Sequence, residues 1–249
     1  MDKTDSSDTN LYSVLAAGFP ADRDGCAIET PEGRTYSWAD IERGSARIAN
    51  LLAGLGLPAG ARIAVQVEKS PEALLLYLGT LRAGCVFLPL NTAYQAAEID
   101  YFVENAEPSV VVCAPGSRDW IEPVVARHRV PHLFTLGQHG DGTLSEAVAR
   151  QSGEFETVPR AADDLACIVY TSGTTGRSKG AMLTHGNVVS NARTLHLYWR
   201  WRRGDVLLHA LPIFHVHGLF VACHGALLNG SRMLWLSKFD PDVVLRLLP

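Results

Sequence analysis

The sequence predicts an α/β fold with parallel-rich sheets flanked by helices, and three observations carry that expectation. Between residues 61 and 113 the segments alternate strand, helix, strand, helix, strand. The strands are almost continuous apolar runs, as strands buried on both faces are. The intervening helices are long enough to make crossover connections, which are right-handed between parallel neighbours.

Taken in order, the chain opens on a polar, acidic stretch, MDKTDSSDTN, the opposite of a signal or transit peptide. Cys26–Glu29 and 34–36 flank the turn formers Pro31, Glu32 and Gly33 and read as a short hairpin. Ser37 with Asp40 three positions on has the spacing of a capping box, and Trp38, Ile41, Ile48, Leu52 and Leu55 recur at helical spacing up to Gly56. That gives a helix with one buried face. A strand at 61–67 follows, and Ser70, Pro71 and Glu72 then supply a cap, a first-turn proline and an acid matched to the helix dipole. This helix ends at Gly84. Strand 85–90, helix 98–105, strand 109–113, helix 120–129 and strand 132–136 continue the alternation, and 137–142 is a glycine-bearing turn. Residues 151–164 form a polar connector, where a subdomain boundary near 155 is the candidate although no Pro/Ser-rich linker marks it. A strand at 165–170, a helix at 185–199, a strand at 206–211 stopped by Pro212, and a helix begun after Pro241 complete the series.

A chain of 249 residues suffices for one large or two small domains, and 47% hydrophobic with 19% charged residues describes an ordinary soluble globular protein. A net charge of −4 leaves no electrostatic footprint for nucleic acid. The segment 198–203, YWRWRR, mixes aromatics with bases, but it is short and sits at a helix end, where cations are favoured anyway. No apolar run reaches the ~18 residues of a membrane span. Cys26, Cys85, Cys113, Cys167 and Cys223 form no CxxC pair and read as free thiols in a reducing, cytoplasmic setting.

Chemistry is written most openly at 164–187, DLACIVYTSGTTGRSKGAMLTHGN. Thr171, Ser172, Gly173, Thr174, Thr175, Gly176, Ser178 and Gly180 gather hydroxyls and glycines around Lys179. Glycines let backbone N–H groups approach an anion, hydroxyls add neutral donors, and the ammonium supplies a point charge. The stretch therefore suits a phosphate, most naturally that of a nucleoside triphosphate. It is not a Walker loop, because Gly173 and Gly176 are too close and Lys179 precedes Gly180 and apolar residues. A second segment, LPIFHVHGLF, places His215 and His217 between His209 and His224. Zinc-site spacing is absent, and by composition alone these read as buried, hydrogen-bonded histidines.

As a whole string, YTSGTTGRSKGAMLTHGN resembles the phosphate-binding signature of the adenylate-forming (AMP-binding) superfamily, which includes acyl-CoA synthetases, peptide-synthetase adenylation domains and luciferases. The resemblance extends over essentially the whole chain. EKSPEALLLYLGTLRAG, FLPLNTAY, HALPI, HVHGLFVA and KFDPD look most like the malonyl-CoA synthetases. It implies the N-terminal part of the large domain, here 1–249, of an enzyme that uses ATP, Mg²⁺ and CoA and takes malonate to malonyl-CoA through malonyl-adenylate. It implies small-molecule partners only, with neither nucleic acid nor membrane. Thr171 to Gly176 and Lys179 would hold the phosphates. His215, with Phe214 as packing partner, His217 and Gly218 would belong to the acyl-substrate pocket. Family members are expected to run to roughly double this length, placing the catalytic lysine and a carboxylate-binding arginine further on, so these residues alone are expected to be inactive. A ligase for another short-chain or aromatic acid, and a non-catalytic nucleotide-binding module, stay open as alternatives.

Overall fold

Local signals set most element ends in the structure, a computed structural model that describes residues 9–171 and 177–248. α1 (Leu11–Ala16) is capped by the buried Asn10, whose Oδ1 accepts from Tyr12 N. β1 (Cys26–Glu29) and β2 (Thr35–Ser37) pair antiparallel as the expected hairpin. α2 (Trp38–Gly54) begins in a capping box: Ser37 Oγ accepts from Asp40 N at 3.1 Å and Asp40 Oδ2 accepts from Ser37 N at 2.9 Å. Two of the helix's orphan donors or their neighbours are thereby satisfied, which fixes where it starts.

β3 (Arg62–Gln66), α3 (Pro71–Arg82), β4 (Val86–Pro89), α4 (Ala96–Ala106), β5 (Val110–Cys113), α5 (Arg118–Arg127) and β6 (His132–Thr135) follow the predicted alternation. After α6 (Thr143–Val148) the polar connector leads to β7 (Leu165–Thr171), β8 (Lys179–Thr184), α7 (His185–Tyr198) and β9 (Val206–His209). A π-helical stretch, His217–Cys223, runs directly into α8 (His224–Asn229), and β10 (Arg232–Trp235) and α9 (Pro241–Leu247) close the described chain.

These strands make two sheets. The six-stranded sheet has the order β6-β5-β3-β4-β7-β8, parallel throughout except for β8 against β7. Its faces are covered by different helices, as strand alternation requires. Ile63, Val65, Val110 and Val112 join the core of α2 and α3, whereas Ala64, Val111 and Cys113 join that of α4 and α5. The four-stranded sheet, β2-β1-β10-β9, pairs β1 of the N-terminal hairpin parallel to β10, and β10 parallel to β9. α3 is wedged in the shared core between the sheets, and every residue from Ala73 to Leu81 is buried. A helix apolar on all sides can only be an interior one.

The α/β class stands, while α1, α6, β8, β10, α8 and the π-helical stretch that leads into it were not anticipated. β8 is an edge strand with no buried residue, so it lacks the apolar alternation that would announce it. α1 and α6 are too short for a period to show. Cys85, Cys113, Cys167 and Cys223 are buried free thiols, and Cys26 is half-buried. Among the described residues no helix is long and apolar enough to cross a membrane.

Candidate active site

Because β4 and β7 are parallel, Pro89 and Thr171 end at the same edge of the sheet, and a cleft opens there. It holds about 750 Å³ of empty space, open solvent at its mouth included. Asn91 and Tyr94 line it beyond β4, Tyr170 and Thr171 line it from β7, and Phe214, His215 and Val216 line it from the segment after β9. Crevices at the carboxyl ends of parallel strands are the usual ligand sites of such sheets.

Thr171 and Lys179 are register partners across β7 and β8, so the ladder brings together the two ends of the hydroxyl-rich loop. Ser172, Gly173, Thr174, Thr175 and Gly176 lie outside the described residues. Both Thr171 and Lys179 are exposed. The returning limb is held from α4: Tyr101 OH donates to Ser178 O at 2.8 Å, and the Arg177 guanidinium lies 5.5 Å from the Tyr101 ring centroid. The outgoing limb is held there too, since Tyr170 OH donates to Asn105 Oδ1 at 2.6 Å and the Phe102 and Tyr170 rings are 4.3 Å apart. α4 therefore holds both limbs of the loop. The sequence reading found this helix but not its role, because its aromatics read equally well as core.

The histidines divide by environment. His215 and His217 are exposed, their ring centroids 6.3 Å apart, and only His215 lines the cleft. His215 Nδ1 accepts from His217 N at 3.3 Å, so in the neutral ring Nε2 carries the proton and is the nitrogen left to face a ligand. His209 and His224 are the buried, hydrogen-bonded kind that composition suggests. Burial, and then the nearby Lys69 charge, pushes His209 down to about 4, and burial pushes His224 down to about 3. His224 Nε2 lies 2.8 Å from the hydroxyl of the fully buried Tyr77.

Gly218 is buried at the start of the π-helical stretch, where a Cβ would stand 2.1 Å from Pro212 O. Only glycine lets the chain turn back this closely on the end of β9, and π-helical turns of this kind concentrate at functional sites. Phe214 also lines a narrow apolar crevice beside the cleft, walled by Tyr77, Phe87 and Leu219. Sequence reasoning did not single out Lys69, which is buried; burial holds its ammonium down to about 7.

The arrangement offers a hydroxyl at Thr171, a cation at its register partner Lys179, and an imidazole at His215 in the cleft that Thr171 lines. Such groups suit two anions brought side by side. Residues 16–248 match the family described as AMP-binding enzyme. The chain is 30% identical over 267 residues to the malonate–CoA ligase of Arabidopsis thaliana, across 97% of this chain and 43% of that protein. It is 33% identical over 215 residues to the feruloyl-CoA synthase of an Amycolatopsis species, across 86% and 41% respectively. The ATP-bound structure of MatB from Rhodopseudomonas palustris superposes with a TM-score of 0.92 and 51% identity, over 96% of this chain and 47% of that one. The chain thus spans a little under half the length of these relatives.

Proposed function

Because the chain belongs to the AMP-binding enzyme family, we propose that it is the N-terminal portion of an ATP-dependent acid–CoA ligase that activates malonate through malonyl-adenylate to malonyl-CoA. The observation that carries this reading is the convergence of Thr171, at the head of the hydroxyl-rich loop, and His215, from the second motif, on one cleft. Malonate is favoured by the likeness to the malonate–CoA ligase and to MatB.

In the first half-reaction a malonate carboxylate oxygen attacks the α-phosphorus of ATP, and the bond to the pyrophosphate oxygen breaks. In the second, the CoA thiol attacks the acyl carbon of the adenylate and AMP departs. A dianion must approach a polyanion, so donors have to be in place beforehand. Thr171, Ser172, Gly173, Thr174, Thr175, Gly176 and Lys179 would hold the β- and γ-phosphates, with Lys179 stabilising the charge that builds on the leaving pyrophosphate. His215 would donate from Nε2 to the acid's carboxylate, with His217 as a second, outer imidazole and Gly218 keeping the turn narrow. Mg²⁺ would arrive on the nucleotide phosphates; among the described residues no three His, Cys, Asp or Glu side chains converge as a metal cage.

A ligase for an aromatic acid is the second reading, favoured by the feruloyl-CoA synthase likeness and by the Tyr94 and Phe214 walls of the cleft. Acid-dependent exchange of labelled pyrophosphate into ATP separates the two, measured on a full-length ligase carrying these residues. Exchange with malonate and not with ferulate is expected, and the reverse would select the second reading. Lys179→Ala is expected to slow exchange about a hundredfold with an unchanged circular dichroism spectrum, because it removes a charge aimed at phosphate and no core contact. An unchanged rate would remove the loop from the reaction.

A further inference from the structure

The cleft histidine stands on a turn whose own support is buried and unusual. Lys69, from the connection between β3 and α3, crosses to the other sheet and donates from Nζ to His209 O at 2.8 Å and to Leu236 O at 2.6 Å. These carbonyls lie at the ends of β9 and β10. The same ammonium lies 4.7 Å from the Trp235 ring centroid, and the Trp235 ring is stacked on the His209 imidazole at 4.7 Å and 13°. The imidazole then reaches forward, with Nε2 2.9 Å from Gly218 O and 3.2 Å from Cys223 Sγ. A carbonyl can only accept, so Nε2 carries the proton and the ring is held in one tautomer.

Burying an ammonium that meets only carbonyls and a ring is costly, and burying a neutral imidazole to satisfy one carbonyl uses a large side chain where a methyl group would pack. Both features make sense together as a brace. We propose that Lys69 and His209 are positioning residues: Lys69 clamps the end of β9 to the six-stranded sheet, and the His209 Nε2–H grips Gly218 O, so that His215 is presented to the cleft at the end of β7. The value of presenting His215 rests on the ligase reading; the brace itself does not.

Hydrogen exchange with mass spectrometry on the 249-residue chain tests it. His209→Phe keeps the stacking on Trp235 and removes the donor. It is expected to speed amide exchange across 213–223 about tenfold, while peptides from β3, β4 and β5 stay within about twofold. His209→Gln, which restores an N–H at similar reach, is expected to return the turn to nearly the wild-type rate. Lys69→Met, which keeps the aliphatic stem over Trp235, is expected to loosen both the turn and the ends of β9 and β10. Long-range ¹⁵N spectra of the wild type are expected to show His209 as the Nε2–H tautomer. A His209→Phe turn as slow as wild type, a His209→Gln turn as fast as the Phe variant, or the opposite tautomer would overturn the brace. Failure of pyrophosphate exchange with malonate and with ferulate alike would overturn the ligase reading and leave these rates unchanged, so the two failures are told apart.

Discussion

Gly218→Ala is expected to destabilise the chain by about 3 kcal/mol or more, among the largest effects of any single methyl group here. The new Cβ would lie 2.1 Å from Pro212 O, 2.8 Å from Pro212 C and 3.3 Å from Leu211 Cβ. Backbone atoms cannot swing aside as a flexible side chain does, and the proline ring fixes φ at Pro212, which leaves its carbonyl fewer ways to move. The residue also carries the carbonyl held by His209, so moving it breaks a buried hydrogen bond as well. Urea unfolding followed by circular dichroism reads the effect. Gly116→Ala is the control, since a Cβ there meets nothing within 4 Å, and its midpoint is expected to match the wild type. If Gly218→Ala matched it too, the close approach of the turn to Pro212 would be wrong.

Stability is expected to fall steadily as the pH is lowered from about 6.5 towards 4. His209 and His224 are held down to about 4 and about 3 by burial, from an ordinary value of 6.5. Across that window the unfolded chain takes up protons that the folded chain refuses. Protons therefore favour the unfolded state, and stability rises with pH, by roughly 1.4 kcal/mol per pH unit for each histidine. Loss begins near 6.5 and ends near 4 for His209 and near 3 for His224. Lys69 acts in the same direction at higher pH: between about 7 and 10.5 the unfolded chain keeps a proton that the folded chain gives up. Denaturant midpoints across the acid window measure the slope. His224→Gln, which still offers an acceptor to Tyr77, is expected to reduce it to about half. A flat profile from 6.5 to 4 would mean that the two rings are not sealed from water as the structure has them.

How much was legible in the sequence depends on the range over which each signal acts. The capping boxes at Ser37 and the cap at Ser70 with Pro71 were readable because all of their partners lie within a few residues. The alternation from 61 to 113 was readable because each strand and helix states its own period. The phosphate-suited loop and the His-bearing segment stood out by composition, and their residue types suggested their chemistry. Composition did not tell which histidine faces the cleft, since His209, His215, His217 and His224 have similar apolar neighbours in the chain; only the family motif pointed to His215. Nor was α4 legible as the seat of the loop, because Tyr101 and Tyr170 meet only when the sheet is assembled.

What the sequence determined by itself was the α/β class, most element boundaries, the membership implied by its motifs, and the two stretches that carry chemistry. Tertiary structure alone decided the second sheet, which pairs the hairpin at 26–37 with strands at 206–209 and 232–235, and the wedging of α3 between the sheets. It also decided that Lys69 is a buried brace rather than a surface lysine, through partners 140 and 167 residues away. The physical reason is that caps and periodicities are paid for locally, by hydrogen bonds and faces within a turn or two. A buried charge or a shared core exists only after distant segments have excluded water together.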